Sequence, residues 1–201
     1  MTILAAHSVS VFFSEAVDDA IRSSGVQATE GATQYLVGLL ADYAHPDRRA
    51  GEALDRPLTI LFDEAVHAAD PGERFERLRS LGDGVLYGCG FFADHFQARG
   101  LDARYLRVFG TRAYGAASSM LRHGPDESTG PDLFAELAVK FDAFVHVLVE
   151  VADATIAMGT ETSRGVLKAY ERWLKTGSDR LASALTSRGV VPTRGTKGVL
   201  Q

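Results

Sequence analysis

Hydrophobic side chains recur every three or four residues along almost the whole chain, and this spacing restricts the fold more than any other feature. Between Ser10 and Ser24, for example, Phe13, Val17 and Ala20 fall on one face of a helix. Strict alternation over more than four residues, which half-buried strands require, is missing. The pattern therefore predicts an all-α protein.

Local start and stop signals divide this pattern into helices. Thr29, Asp70 followed by a proline, and Asp102 are typical N-caps, and Gly177 with the following serine marks a break before a last helix. With short connectors, six to eight helices favour a single-domain antiparallel bundle or orthogonal array. We expect this domain to span residues 1–191 and residues 192–201 to form a mobile tail.

Composition narrows the class of protein. The 201 residues are 46% hydrophobic and 23% charged, which excludes wholesale disorder. The single cysteine, Cys89, excludes an internal disulfide and a cysteine-cluster metal site, and it indicates a reducing compartment. No stretch approaches 18 uninterrupted apolar residues, so we expect no membrane span. Arginine outnumbers lysine 17 to 4, as in proteins of GC-rich bacteria. We expect a bacterial cytoplasmic protein.

The net charge of −5 is distributed unevenly. Residues 1–70 hold 4 basic and 11 acidic side chains, whereas residues 165–201 hold 7 basic and 2 acidic ones. An acidic N-terminal third repels phosphates, so nucleic acid is not the expected partner. Oppositely charged regions favour a protein partner or a second copy of the chain, although two solvated faces explain the same distribution.

The fifth predicted helix carries candidate interaction residues. Arginine and tyrosine are enriched at protein–protein contacts, and this helix holds Arg104, Tyr105, Arg107, Arg112 and Tyr114. The alternative is an ordinary exposed helix face. The common hydrolase motifs are absent, and no complete catalytic set is recognisable. We therefore expect a non-catalytic regulatory or adaptor protein that acts through protein–protein interaction or self-association, without a cofactor.

A second hypothesis comes from a cluster of glycines at positions 82, 84, 88 and 90, since a glycine inside a helix costs about 0.5–1 kcal/mol relative to alanine. A tight helix crossing explains them, and so does the floor of a site for a flat ligand or a haem. This alternative, a helical-bundle enzyme or sensor, takes its pocket residues from the cluster and its aromatic neighbours: Gly84, Tyr87, Gly88, Phe91, His95 and Phe109.

Two further polar patterns lie on predicted helices. Glu64 and His67 share a face at the spacing of a carboxylate and imidazole in a di-iron bundle, but the second Glu-x-x-His that such a site needs is absent. They form either part of a metal site or a solvated pair. The sixth predicted helix opens at Pro131-Asp132 and runs through Ile156. Its polar stripe has a geometry that permits metal binding, and we favour a solvated face as the simpler interpretation: Asp142, His146, Glu150 and Asp153.

Two short segments add a resemblance. The sequence from Tyr35 to Tyr43, and the run Gly90-Phe91-Phe92-Ala93-Asp94, are similar to uncharacterised all-helical proteins of GC-rich bacteria. This resemblance implies the all-α class and no particular activity.

Overall fold

A computed structural model of the chain describes residues 2–44, 56–93, 96, 100–122 and 132–194, with side chains from residue 9 onward. Within these residues the backbone is helical and no strand occurs, so the predicted all-α class is confirmed. His95 and residues 195–201, most of the predicted tail, lie outside the described residues.

Nine α-helices and one 3₁₀ turn follow one another along the described chain. Their bounds are α1 Thr2–Ser24, α2 Glu30–Tyr43, α3 Leu58–Val66, α4 Pro71–Phe91, α5 Ala103–Arg122, α6 Leu133–Val139, α7 Phe141–Met158, the 3₁₀ turn Gly159–Glu161, α8 Ser163–Thr176 and α9 Asp179–Ser187.

Most helix ends lie where the sequence signals predict them. The Thr29 side chain accepts a hydrogen bond from the backbone N–H of Ala32, and Asp70 accepts one from Glu73, so both residues are N-caps. Gly177 has a positive φ of 70° and ends α8 in the left-handed conformation that favours glycine. The N-cap of α8 is Thr162, whose side chain accepts a hydrogen bond from the backbone N–H of Gly165.

The sixth predicted helix is divided in two. It ends at Val139 and begins again at Phe141, with Lys140 between them at φ −99° and ψ 19°. The ammonium of Lys140 donates to the backbone carbonyl of Gln27 at 2.6 Å and to Glu136 at 3.0 Å. Contacts to the α1–α2 connection therefore accompany the break.

Residues 1–149 and 150–201 form two units, and the boundary falls within α7. In the first unit, α4 and α5 form the most extensive helix pair of the described chain. The second unit has its own apolar cluster, formed by buried residues of α8 and α9: Ala169, Trp173, Leu181 and Leu185.

Close packing explains three helical glycines of the first unit. A Cβ atom on Gly82 would lie 2.6 Å from the ring of Tyr114, one on Gly90 would meet Leu148 Cβ, and one on Gly110 would meet the ring of Phe141. The sequence left open whether the glycine-rich segment is one helix, and it lies within the continuous helix α4.

No helix among the described residues is both long and apolar enough to cross a membrane.

Candidate functional site: a cleft between α2 and α4

A buried carboxylate, Asp83, lies in the middle of α4. The residue is 8% exposed and is flanked by Gly82 and Gly84, which are also buried. Its Oδ1 atom accepts two hydrogen bonds from phenols, one from Tyr35 of α2 at 2.6 Å and one from Tyr114 of α5 at 2.8 Å. One carboxylate therefore joins three helices.

The surroundings of Asp83 shift the pKa of this carboxyl and of the two phenols bonded to it. Burial raises the pKa of Asp83 above its ordinary value, and this effect outweighs the phenol hydrogen bonds and the charge of Arg79, which favour the carboxylate. Burial, together with the Asp83 charge, also raises the pKa of Tyr35 and Tyr114 well above the ordinary phenol value. Both phenols therefore remain hydrogen-bond donors at neutral pH.

Arg79 lies one helical turn before Asp83 and is held mainly by Glu76. Its Nε and Nη2 atoms donate to Glu76 Oε2 at 3.2 and 2.7 Å. Its Nη1 atom faces Asp83 Oδ2 at 3.8 Å, which is an ion-pair distance but too long for a hydrogen bond. No described residue donates a hydrogen bond of normal geometry to Asp83 Oδ2, since both phenols donate to Oδ1.

These groups line a cleft between α2 and α4 with a volume of about 330 Å³. That volume is at the lower end of the range of small-molecule sites. The lining residues come from two adjacent rows of α2 and from one face of α4: Gln34, Tyr35, Gly38, Leu39, Asp42, Tyr43, Arg79, Ser80 and Asp83.

Gly38 lies in the middle of α2 and opens this cleft. A Cβ atom added there would have no neighbour within 4 Å, in contrast to Gly82, Gly90 and Gly110. Alanine at this position would favour the helix by about 0.5–1 kcal/mol, and no packing contact opposes it. Close packing therefore does not explain this glycine, whereas an occupant of the cleft would.

Stacked aromatic rings extend from one end of the cleft. The Tyr43 ring stacks on Tyr87 with centroids 4.4 Å apart and planes inclined by 12°. Tyr87 stacks in turn on Phe91 at 4.9 Å and 15°. The rings fix the orientation of Tyr43 in the cleft wall.

The structure brings together part of the predicted ligand pocket. Tyr87 and Phe91 are in contact, and Gly84 and Gly88 are buried in the same helix. Phe109 belongs to a different aromatic group on α5, where it packs against Tyr105 and the Phe62 ring of α3. Of the predicted pocket residues, the described ring contacts join Tyr87 to Phe91 but do not join Phe109 to either.

The candidate interaction residues of α5 separate into two environments. Arg104 and Arg112 are exposed on one face, together with Val108, which is 42% exposed. Arg107 is half-buried, and its Nη1 atom lies 3.3 Å from Asp142.

Tyr105 is partly exposed and its ring packs against Phe109 of the same helix, whereas Tyr114 is completely buried. The expectation that Tyr114 is a surface residue is therefore wrong. Its hydroxyl finds its acceptor, Asp83, inside the protein.

The candidate metal residues each have a different neighbour. Arg56 donates two hydrogen bonds to the Glu64 carboxylate, one of them at 2.9 Å, and thereby holds the pKa of Glu64 below its usual value. His67 Nδ1 lies 2.9 Å from the backbone carbonyl of Asp63 and 3.2 Å from its carboxylate. Within the described ranges, no three His, Cys, Asp or Glu side chains form a group that would hold a metal ion.

A second groove, of about 480 Å³, lies between α3 and α4. Its charged side chains pair with each other, Arg56 with Glu64 and Arg77 with Glu73, and these pairs are exposed to a large extent. Such pairs contribute little and leave few groups for a ligand. We therefore take the α2–α4 cleft as the candidate site.

Sequence reasoning missed the central residues of this site. Asp83 stands between two glycines in an apolar stretch of α4, and Arg79 precedes it by four residues. A charged residue surrounded by buried positions is a usable signal, because it needs a partner inside the protein. Gly38, a lone glycine inside a strongly predicted helix, is the second such signal.

No protein-family model, no curated protein and no solved structure matches the chain.

Proposed function

We propose that this protein binds a small molecule in the α2–α4 cleft and acts as a helical binding or sensor protein. The observation that carries the proposal is the combination of the open position at Gly38 with a nearly buried carboxylate, Asp83, in the same cleft wall. An unfavourable helical residue and a desolvated acid both reduce stability, and both are explained if they serve a ligand.

The Asp83 cluster supports recognition rather than catalysis. The carboxylate is fixed by two phenols, and neighbouring Arg79 is fixed by Glu76. Groups held in this way present hydrogen-bonding atoms in a fixed arrangement, which reduces the entropy cost of binding.

A screen with a diverse fragment library tests the proposal, with binding observed through the backbone amide signals of the protein in NMR spectra. We expect fragments that shift the amides of Gly38 and Asp83. Gly38→Leu, which fills the open space, should abolish these shifts. Gly31→Leu is the matched control, because Gly31 is an exposed glycine at the start of the same helix and does not line the cleft. A library that produces no shift at the cleft refutes the proposal.

A second proposed function, protein–protein interaction, is supported by the exposed face of α5. Arg104 and Arg112 make no side-chain ion pair with any described residue, and the apolar Val108 lies between them on the same face. Such a face suits an acidic surface, and the acidic residues 1–70 of a second copy would provide one. The buried cysteine Cys89 supports a reducing, cytoplasmic setting for such an assembly.

Light scattering at increasing protein concentration tests this second function. We expect a dimer that weakens with added salt and is lost in the double substitution Arg104→Glu, Arg112→Glu. A monomer at all concentrations contradicts self-association through this face. Binding of ligands in the cleft is independent of that result.

A further inference from the structure

We propose that the ligand of the cleft is a flat, uncharged molecule with a hydrogen-bond donor and an acceptor side by side on one edge, as in a primary carboxamide or a lactam ring. This inference rests on the proposed function and names the class of ligand. It comes from the arrangement of Asp83 and Arg79 in the cleft wall.

The two groups offer one acceptor and one donor at a fixed separation. Asp83 Oδ2 and Arg79 Nη1 are 3.8 Å apart, too far to bond to each other. A ligand edge that donates to the oxygen and accepts from the nitrogen would join them through two hydrogen bonds.

Other atoms of both groups are hydrogen-bonded within the protein. Asp83 Oδ1 accepts from two phenols, and Arg79 donates its Nε and Nη2 atoms to Glu76. Rotation of Asp83 would break both phenol hydrogen bonds, whereas the partly exposed pair of Arg79 with Glu76 orients the guanidinium more weakly. This fixed arrangement makes the site selective for the geometry of the ligand edge.

At the Asp83–Arg79 pair, charge favours an uncharged ligand edge. Asp42 also lines the cleft, and the cationic probe below tests whether its carboxylate attracts a positive charge instead. An ammonium at Asp83 Oδ2 would lie beside the guanidinium of Arg79, and a carboxylate at Arg79 Nη1 would lie beside the carboxylate of Asp83. Like charges at such distances in a partly buried site repel each other. A neutral donor–acceptor edge satisfies both groups without that cost.

The opposite wall of the cleft suits a flat ring. Gly38 leaves an open surface, Leu39 is buried beside it, and Tyr43 presents a ring whose orientation is fixed by its stack on Tyr87. An aromatic ring packs well against an unobstructed helix surface and a tyrosine ring.

Four probes that share one phenyl ring test the inference: benzamide, N-methylbenzamide, benzoate and benzylammonium. Benzamide carries N–H and C=O on the same edge. In N-methylbenzamide the trans amide places them on opposite edges. We titrate each probe into the full chain and follow the amide signals of Gly38 and Asp83.

We expect benzamide to bind with a dissociation constant of roughly 1 mM, as is usual for so small a ligand. Binding of the other three probes should be weaker by about tenfold or more, because one of the two hydrogen bonds is lost or a like charge is introduced. Gly38→Leu should abolish benzamide binding. Arg79→Met, at a partly exposed position that tolerates change, should reduce the preference for benzamide over N-methylbenzamide to less than about threefold.

The outcomes separate the inference from the proposed function. If the probes bind equally well and Gly38→Leu abolishes all binding, the cleft is a ligand site but the inference on the ligand edge is overturned. If benzylammonium or benzoate binds best, the ligand is charged and the inference is again overturned. If no probe shifts the cleft signals at about ten times the expected constant, the inference fails, and the fragment screen decides the proposed function by itself.

Discussion

Replacement of Tyr114 by phenylalanine measures the contribution of the Asp83 cluster to stability. Tyr114 is completely buried, and its hydroxyl donates to Asp83 Oδ1 at 2.8 Å. Phenylalanine keeps the ring, which packs against Phe134, Phe141 and the backbone at Gly82. The substitution Tyr114→Phe therefore removes one hydrogen bond and little else.

The expected loss follows from the charge of the acceptor. A hydrogen bond to a charged group contributes about 1.5–3 kcal/mol, compared with about 0.5–1.5 kcal/mol for a neutral pair. The Asp83 carboxylate remains buried and keeps one of its two phenol donors, from Tyr35. We expect the free energy of unfolding to fall by about 2 kcal/mol, which lowers the melting temperature of a chain of this length by about 4–8 °C.

The pH dependence of this loss gives a second measurement. Because burial raises the pKa of Asp83, the folded chain keeps its proton to a higher pH than the unfolded chain. The contribution of Asp83 to stability is therefore greatest below its unfolded pKa and decreases as the pH rises through its folded pKa. Loss of the Tyr114 hydrogen bond, which favours the carboxylate, raises that folded pKa further. The destabilisation should consequently be larger at neutral pH than at acidic pH.

Urea denaturation followed by circular dichroism at both pH values provides the assay. Tyr105→Phe is the matched control, since Tyr105 lies on the same helix and its hydroxyl bonds to no described residue. The control should change stability by less than about 0.5 kcal/mol. If Tyr114→Phe costs no more than this control, or costs the same at both pH values, Asp83 is not held as a carboxylate by the buried phenol.

Three further measurements concern close packing and buried charge. Gly82→Ala should destabilise the protein by about 1–3 kcal/mol, because the new methyl group meets a buried ring at 2.6 Å. Gly115→Ala has open space around it and should stabilise α5 by about 0.5–1 kcal/mol. Equal effects of the two substitutions in melting experiments would contradict the packing argument. Asp153→Ala should lower the free energy of unfolding by about 3–5 kcal/mol in chemical denaturation, because it leaves the buried guanidinium of Arg172 without its partner. In the native protein the two side chains bond at 2.9 Å. A loss below about 1 kcal/mol would show that water reaches the pair. Cys89 should react with a thiol reagent at neutral pH only after unfolding, since burial raises its pKa to about 11, and rapid reaction of the native protein would contradict that burial.

The helices follow from the sequence because their signals are local. The caps at Thr29 and Asp70 depend on backbone groups three residues away, so the sequence alone locates them. The break at Lys140 has no such signal, since neither proline nor glycine stands there. Its ammonium bonds to the carbonyl of Gln27, 113 positions earlier, and only the folded chain brings these groups together.

Buried charges were the main failure of sequence reasoning, for the same reason. The polar stripe on the sixth predicted helix was expected to be solvated, but Asp153 is 1% exposed and bonds to Arg172. Asp83 depends on a phenol 48 positions earlier and another 31 positions later. A carboxylate on a helix has the same local pattern whether water or a distant side chain solvates it, so periodicity cannot distinguish the two cases.

The glycines show most clearly what the structure adds to the sequence. Gly82, Gly90 and Gly110 are each required by an atom of another residue within 2.6 Å of the missing Cβ, so they serve packing and need no ligand. Gly38 has the same unfavourable effect on its helix and no such neighbour. A sequence shows the cost of each glycine but never the atom that explains it. The one helical glycine in the wall of the cleft is also one that packing leaves unexplained, and this coincidence supports the proposal of a ligand beside Asp83 rather than at the glycine cluster itself.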